Sequence, residues 1–396
     1  MTTATAPVPP MGLTPANLTL AKEGTYFVFV LILSILIWVL LAVSIVGAFY
    51  ALFFAFLLWL GNGLLVAQLR AEAVRVDEKQ LAGLHASFRE VCERLGVRQP
   101  PALYVLQAGG LLNAFATRFA GRDFVVVFSD FLEALGPSSP EMKCILGHEL
   151  GHIKSRHILK QIFLAPGMFF PLIGPAYRRA WESSCDRYGA FAAQDVDASV
   201  RAMLVVTGGR EHGRKLDPET FAGQYQQERG FFVSLHELTS AYPTLSRRVT
   251  DLLALRTGET PRRPKRNPFA YLLALLIPGG NMGGGGGAVA AMVMIVMIGL
   301  LAAMAIPAFQ KVRQSAQEKA CHNNRRMLEA ALDQYLLENN KGPGSWDDVV
   351  GADKYVKTMP ACPVAGGTYS ATHDKDNGYM AECSIHGSGA PAHAGR

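Results

Sequence analysis

Hydrophobic positions along this chain are clumped rather than spread. Residues 24–69, 46 in all, contain no Asp, Glu, Lys, Arg or His. As one helix they would extend about 69 Å at 1.5 Å per residue, over twice the ~30 Å of a bilayer's hydrocarbon. The pattern therefore predicts a flexible N-terminus over 1–24 and a transmembrane helical hairpin over 25–69, turning near Ser44 to Gly47. A cleaved leader does not fit, since the apolar run is too long and only Lys22 precedes it as a base. A second uncharged stretch runs from Asn267 to Gln310 but is interrupted by Pro278 and by five glycines, Gly283 to Gly287. It divides into a basic then glycine-rich linker over 261–287 and a third span over 288–310. Ile162 to Tyr177 is apolar but short and broken by Pro166, Pro171 and Pro175, which suits a membrane-dipping or substrate-flanking segment.

Between the apolar blocks, 70–260 reads as a folded domain. Ser138 or Ser139 followed by Pro140 is a helix start, and an uninterrupted helix is predicted from about Pro140 to Ile162. A further helix carries Glu182 and Asp186, and Phe124 to Phe128 has strand composition. Beyond 310, helical spacing of Arg325, Leu328, Ala331, Leu332 and Tyr335 predicts a long helix to about Asn340. Short strands and turns then follow, around Tyr355 to Tyr369 and Cys383 to Gly387.

Charge refines this picture. The chain of 396 residues carries a net +6 with only 18% charged residues, and no stripe interleaves aromatic and basic positions. That suits anionic lipid better than nucleic acid, and no nucleic-acid partner is expected. Arg70, Arg75 and Lys79 follow the hairpin, and Arg262 to Arg266 precede the third span. The positive-inside rule then puts 70–260 in the cytoplasm and the tail outside. Of six cysteines, Cys92, Cys144 and Cys185 belong to the central domain and are expected to be reduced and buried. Cys321, Cys362 and Cys383 lie in the tail, where a Cys362–Cys383 disulfide is expected in an oxidising compartment. A zinc knot of the three with His386 is the alternative.

The candidate chemistry sits at His148-Glu149-Leu150-Gly151-His152. Histidines four apart share a helix face and can reach one ion, while Glu149 is placed to take a proton from water at that ion. Catalytic zinc needs a third protein ligand and an open position. Glu182 is the candidate, with Asp186 one turn on to bond the far nitrogen of a ligand histidine. The bland alternative is an exposed helix with paired acids among arginines.

Together these motifs resemble the gluzincin membrane peptidases of the HtpX and CAAX prenyl protease type, over roughly Leu81 to Arg256. The resemblance implies one Zn²⁺ per chain on His148, His152 and Glu182, with Glu149 as catalytic base. Asn113, Ala114 and Phe115 resemble the family's Asn-Ala-Phe edge strand, which pairs with an extended peptide substrate. Tyr242 stands where the family carries a histidine and Arg248 at the family's arginine, which makes both catalytic candidates. The tail, with Gly299 to Gln310 running into its long helix, resembles a type IV pilin or pseudopilin. Ala290 occupies the position of the pilin glutamate, which implies a tethered recognition module rather than a filament subunit.

The resulting expectation is an α+β membrane protein: an N-terminal helical hairpin, a mostly helical zincin-type peptidase domain with a small edge sheet, and a pilin-like domain over 311–396. Its expected function is endoproteolysis in membrane protein quality control or processing at a bacterial inner membrane, with the tail periplasmic. Its partners would be protein or peptide substrates, membrane proteins among them, the bilayer, and an envelope complex engaged through the tail. A catalytically silent, peptidase-like scaffold of such a complex is the competing class.

Overall fold

The structure is a computed structural model and describes residues 8–261, 263–277, 286–374 and 378–387; the glycine-rich stretch 278–285 and Arg262 lie outside them. The fold is mostly helical α+β, in two compact units, Met1–Val293 and Met294–Arg396.

The first unit opens with α1 (Ala21–Val43) and α2 (Ile45–Glu72), both long and apolar enough to cross a membrane. Ser44 makes the turn: its hydroxyl accepts from the Gly47 amide at 3.1 Å and caps α2. Gly47 allows the close return, because a Cβ there would meet the Leu41 carbonyl oxygen at 2.9 Å. Most of the hairpin's large apolar side chains are exposed, but α1 buries Glu23, Val30 and Ser34. Those positions share one helical face.

After β1 (Val74–Arg75) and α3 (Ala82–Arg94) comes a sheet of β2 (Ala102–Leu106), β3 (Ala114–Phe119) and β4 (Arg122–Phe128), in order β1-β2-β4-β3. β4 is central and buried from Phe124 to Val127, so its apolar run is continuous rather than alternating. β3 is an edge strand, paired antiparallel to β4 alone. The short α4 (Ser129–Leu135) leads to α5 (Pro140–Lys154), capped by the Ser139 hydroxyl on the Met142 amide at 3.0 Å. Leu84, Phe88 and Val91 of α3, Val125 and Val127 of β4, and Met142, Leu146 and Leu150 of α5 share the main core. Their spacings are those of inward helix faces.

The expected uninterrupted helix to Ile162 does not form. Arg156 adopts a left-handed conformation (φ 56°), which ends α5 and starts α6 (His157–Phe163) in a new direction. α7 (Ala165–Met168) then packs on α1. The Ser34 hydroxyl donates to the Leu164 carbonyl (3.2 Å) and accepts from the Gly167 amide (3.0 Å), while the Trp38 indole N–H donates to the Phe163 carbonyl (2.8 Å). The proline-broken segment is thus fastened along α1. α8 (Ile173–Ala193) crosses α5 closely, and α9 (Val196–His212), α10 (Pro218–Gln227), α11 (Phe231–Thr239), α12 (Leu245–Leu253) and α13 (Pro268–Ala274) complete the unit.

The second unit is built on α14 (Gly286–Asn339), whose residues Leu328, Ala331 and Leu332 are buried against Val349, Val356, Tyr369 and Ala381. β5 (Tyr369–Asp374) and β6 (Gly378–Cys383) form a two-stranded antiparallel sheet. The expected Cys362–Cys383 disulfide is absent: the sulfurs lie 3.7 Å apart, far beyond the ~2.05 Å of an S–S bond.

Candidate active site

Two helices build the site. α5 carries His148, Glu149 and His152, and α8 carries Glu182 and Asp186. They approach closely at glycines: a Cβ on Gly147 would sit 2.4 Å from the Ala192 Cβ, and one on Gly189 would sit 2.6 Å from the Cys144 carbonyl oxygen. This contact brings the carboxylates of α8 to the histidines of α5. Glu182 is 4% exposed and Asp186 6%, so the reading of a solvated acidic helix is excluded.

The ligand atoms converge. His148 Nε2 lies 3.3 Å from His152 Nε2 and 3.3 Å from Glu182 Oε2, and His152 Nε2 lies 3.7 Å from Glu182 Oε1. Zinc bonded at ~2.0–2.1 Å in a tetrahedron would set its ligands about 3.3–3.4 Å apart, so the donor set fits that ion. The facing nitrogens cannot both carry protons at this separation. Burial, with the neighbouring positive charges, drives His152 down to about 3 against the Glu182 charge, which keeps its ring neutral. Burial also opposes charge on His148, but hydrogen bonds to Asp186 and Glu182 override it and raise it to about 10. Against burial, the His152 and His148 charges hold the Glu182 carboxyl down to about 2, and the Trp181 indole N–H donates to its Oε1 at 3.1 Å.

A supporting layer fixes the rings. His148 Nδ1 meets Asp186 Oδ1 at 3.0 Å. Arg248, expected as a catalytic group, points its guanidinium at Asp186 instead: Nε donates to Oδ2 at 2.9 Å and Nη2 to Oδ1. Arg248 also lines the cavity, and through Asp186 it braces the His148 ring. His152 is held through a contact that sequence reasoning missed. Its Nδ1 meets His157 Nδ1 at 3.1 Å, and His157 Nε2 meets Glu23 Oε1, in the first turn of α1, at 2.9 Å. Trp181 stacks on the His157 ring at 4.9 Å between centroids. Cys185 lies 3.6 Å from His157 Nδ1 and against Gly151, outside the His148–His152–Glu182 group. Burial pushes its thiol well above the ordinary range.

The open side is a cavity of about 260 Å³, lined among others by Asn113, Ala116, His148, Glu149, Glu182 and Tyr242. Burial pushes the Glu149 carboxyl up to about 7, partly countered by His148 and by a hydrogen bond from the Ala116 backbone. Along β3 the Phe128 amide donates to the Asn113 carbonyl, so residues of Asn113's parity pair with β4 and the alternate ones, Ala114, Ala116 and Arg118, face the free edge. Asn62 of α2 already occupies the Arg118 carbonyl (2.7 Å), while Ala114 and Ala116 border the cavity. The Asn113 side chain accepts from the Ala114 amide at 2.9 Å, and Phe115, which also lines the cavity, packs edge-on to Phe128. Tyr242 stands at the rim, 48% exposed, and the Glu182 charge together with burial raises its phenol to about 12.

Comparison with known proteins agrees with the peptidase part of the resemblance drawn from the motifs. Residues 78–173 match peptidase family M48, a stretch that contains His148, Glu149 and His152 and stops short of Glu182. The chain is also similar to the plastoglobule-localized metallopeptidase 48, chloroplastic, of Arabidopsis thaliana, at 31% identity over 153 residues. That alignment covers 35% of this chain and 43% of the relative, so less than half of the relative's length is represented. No solved structure matches.

Proposed function

We propose that this chain is a membrane-anchored zinc endopeptidase acting on membrane or misfolded proteins, in quality control or processing. The observation that carries this reading is the convergence of His148, His152 and Glu182 on one point, beside Glu149 and under the free edge of β3. Zinc, when bound there, supplies Lewis acidity to the scissile carbonyl and acidifies the attacking water. An extended substrate adds to β3 by donating main-chain N–H groups to the Ala114 and Ala116 carbonyls, the two amides being held by the Asn113 side chain and by Glu149. Such bonds read no side chain and suit a protease of broad choice. Glu149 takes the proton of the attacking water on its carboxylate and returns it to the leaving amine. Tyr242, kept protonated, donates to the charge developing on the carbonyl oxygen. Asp186 and Arg248 hold His148 in the ring orientation that faces the ion.

The apolar hairpin provides the anchor. At the start of α1 a cavity of about 500 Å³ is lined by Lys22, Arg179, Arg247, Arg263, Lys265 and Arg266, which suits the anionic headgroups of a cytoplasmic leaflet. This supports an inner-membrane protein with its peptidase side in the cytoplasm. The pilin-like tail, beyond a third span and in the periplasm, would recruit substrates or an envelope complex.

The test uses detergent-solubilised protein, bound zinc and casein cleavage. Glu149→Gln is expected to retain zinc and lose cleavage by on the order of 10²-fold or more. Undiminished cleavage by this variant would sink the assignment. Neither zinc nor cleavage in the wild type would leave a peptidase-like scaffold.

A further inference from the structure

The second unit brings Cys321 of α14, Cys362 of the following loop, and Cys383 and His386 at the end of β6 to one point. Their ligand atoms all lie within 4.8 Å of one another. The Cys362 and Cys383 sulfurs are 3.7 Å apart, and His386 Nδ1 is 3.6 Å from each. Thiolates held at ~2.3 Å from one tetrahedral ion would stand about 3.8 Å apart, with an imidazole nitrogen slightly nearer to each. A disulfide would need less than two thirds of the observed spacing.

The chain around these atoms is shaped to present them. Cys383 and His386 are the ends of a Cys-x-x-His turn closed by two backbone hydrogen bonds between Cys383 and Gly387, the latter at φ 65°. The amides of His386 and Ile385 point at the Cys383 sulfur. Gly367 makes room for Cys362, since a Cβ there would fall 2.7 Å from that residue's sulfur. The Tyr369 hydroxyl donates to the Cys321 sulfur at 3.5 Å and is itself held by the Asn324 amide at 3.2 Å. Arg325, buried one turn from Cys321, donates to the Gly387 carbonyl at 2.6 Å. Three thiolates and a divalent cation leave one negative charge, which that guanidinium offsets.

We propose that Cys321, Cys362, Cys383 and His386 form a closed, structural zinc site that ties the small sheet to the long helix, independent of the peptidase centre. Four protein ligands leave no open position, the mark of a structural rather than a catalytic ion. The unit has need of one. Its sheet has two strands, marginal alone, and its core divides into two small clusters. The expected stoichiometry becomes two zinc ions per chain.

Cobalt substitution of the full-length protein in detergent tests this without reference to activity. The expected result is thiolate-to-cobalt charge-transfer absorption that survives His148→Ala and disappears in Cys383→Ser, while His386→Cys retains it. Metal analysis should read two zinc ions in the wild type and one in either His148→Ala or Cys383→Ser. If the serine variant fails to fold, thiol alkylation of the wild type decides, with Cys321, Cys362 and Cys383 protected until a chelator is added. Absence of the charge-transfer band, or a Cys362–Cys383 disulfide in non-reducing peptide maps, overturns the proposal. One zinc per chain together with the band would instead preserve this site and remove the ion from the peptidase centre.

Discussion

At the scale of single residues, the tautomer of His152 decides whether its Nε2 can face a metal. For that nitrogen to offer a lone pair, Nδ1 must carry the proton and donate it to His157 Nδ1, 3.1 Å away. His157 must then be protonated on Nε2, where Glu23 accepts at 2.9 Å. The order of protons along this chain is therefore set by the carboxylate at its end. Removing such outer partners of a zinc ligand typically costs 10–100-fold in metal affinity. His157→Ala and Glu23→Ala are expected to weaken zinc by about that factor, read by competition with a chromophoric chelator. Cys185→Ala, outside the ligand group, should change it little. Equal affinities for all three would mean that the contact with α1 does not position His152.

The same residues mark where reading a sequence stops. His148, Glu149 and His152 are legible because i and i+4 share a helix face. His157 is five residues on and would point about 140° away from His152 on a continuous helix. Only the left-handed turn at Arg156 carries it back, and nothing local in Ser155-Arg156 announces that conformation. Glu23 lies 134 positions from its partner, so no spacing rule could join them. Arg248 was visible through resemblance alone, which suggested chemistry; its contact with Asp186 required the fold.

At the scale of elements, the site depends on how closely α5 and α8 approach. Gly147 offers a direct test. A methyl there would stand 2.4 Å from the Ala192 Cβ and 3.0 Å from the Tyr188 carbonyl oxygen. Glycine to alanine in a helix gains up to ~1 kcal/mol of propensity, whereas forcing apart a packed contact costs ~1–3 kcal/mol or more. Sterics should win, so Gly147→Ala is expected to lower the unfolding midpoint and loosen zinc together. Gly223, also helical, has its nearest contact at 3.9 Å, so Gly223→Ala should be neutral or stabilising. The comparison fails if both variants melt alike. The hairpin of α1 and α2 was plain from its lack of charge, with Ser44 at the turn. By contrast, β3's position at the sheet edge follows from pairing between distant strands, which composition does not encode.

At the scale of the whole molecule, the apolar hairpin is packed into the first unit. Val30 is fully buried against Leu164, Met168, Tyr177 and Trp181, and Ser34 bonds both the Leu164 carbonyl and the Gly167 amide. Fully burying a valine is worth roughly 1.5–3 kcal/mol, and the Glu23 contact supports His152 through His157. α1 thus belongs to the fold of the first unit even though its outer face is apolar and exposed. The tail differs, since every residue of the candidate active site lies before Val293, the end of the first unit. Two truncations should therefore behave in opposite ways. A chain stopped before Ala288 is expected to keep one zinc and wild-type casein cleavage. A chain begun at Ala73, though freed of its apolar hairpin, should lose zinc, because His157 has no acceptor and Leu164, Met168 and Trp181 lose their cover. Zinc content and cleavage measured on both decide the matter. Full zinc occupancy in the hairpin-less chain would reduce α1 to a tether, and loss of cleavage without the tail would make the second unit part of the enzyme.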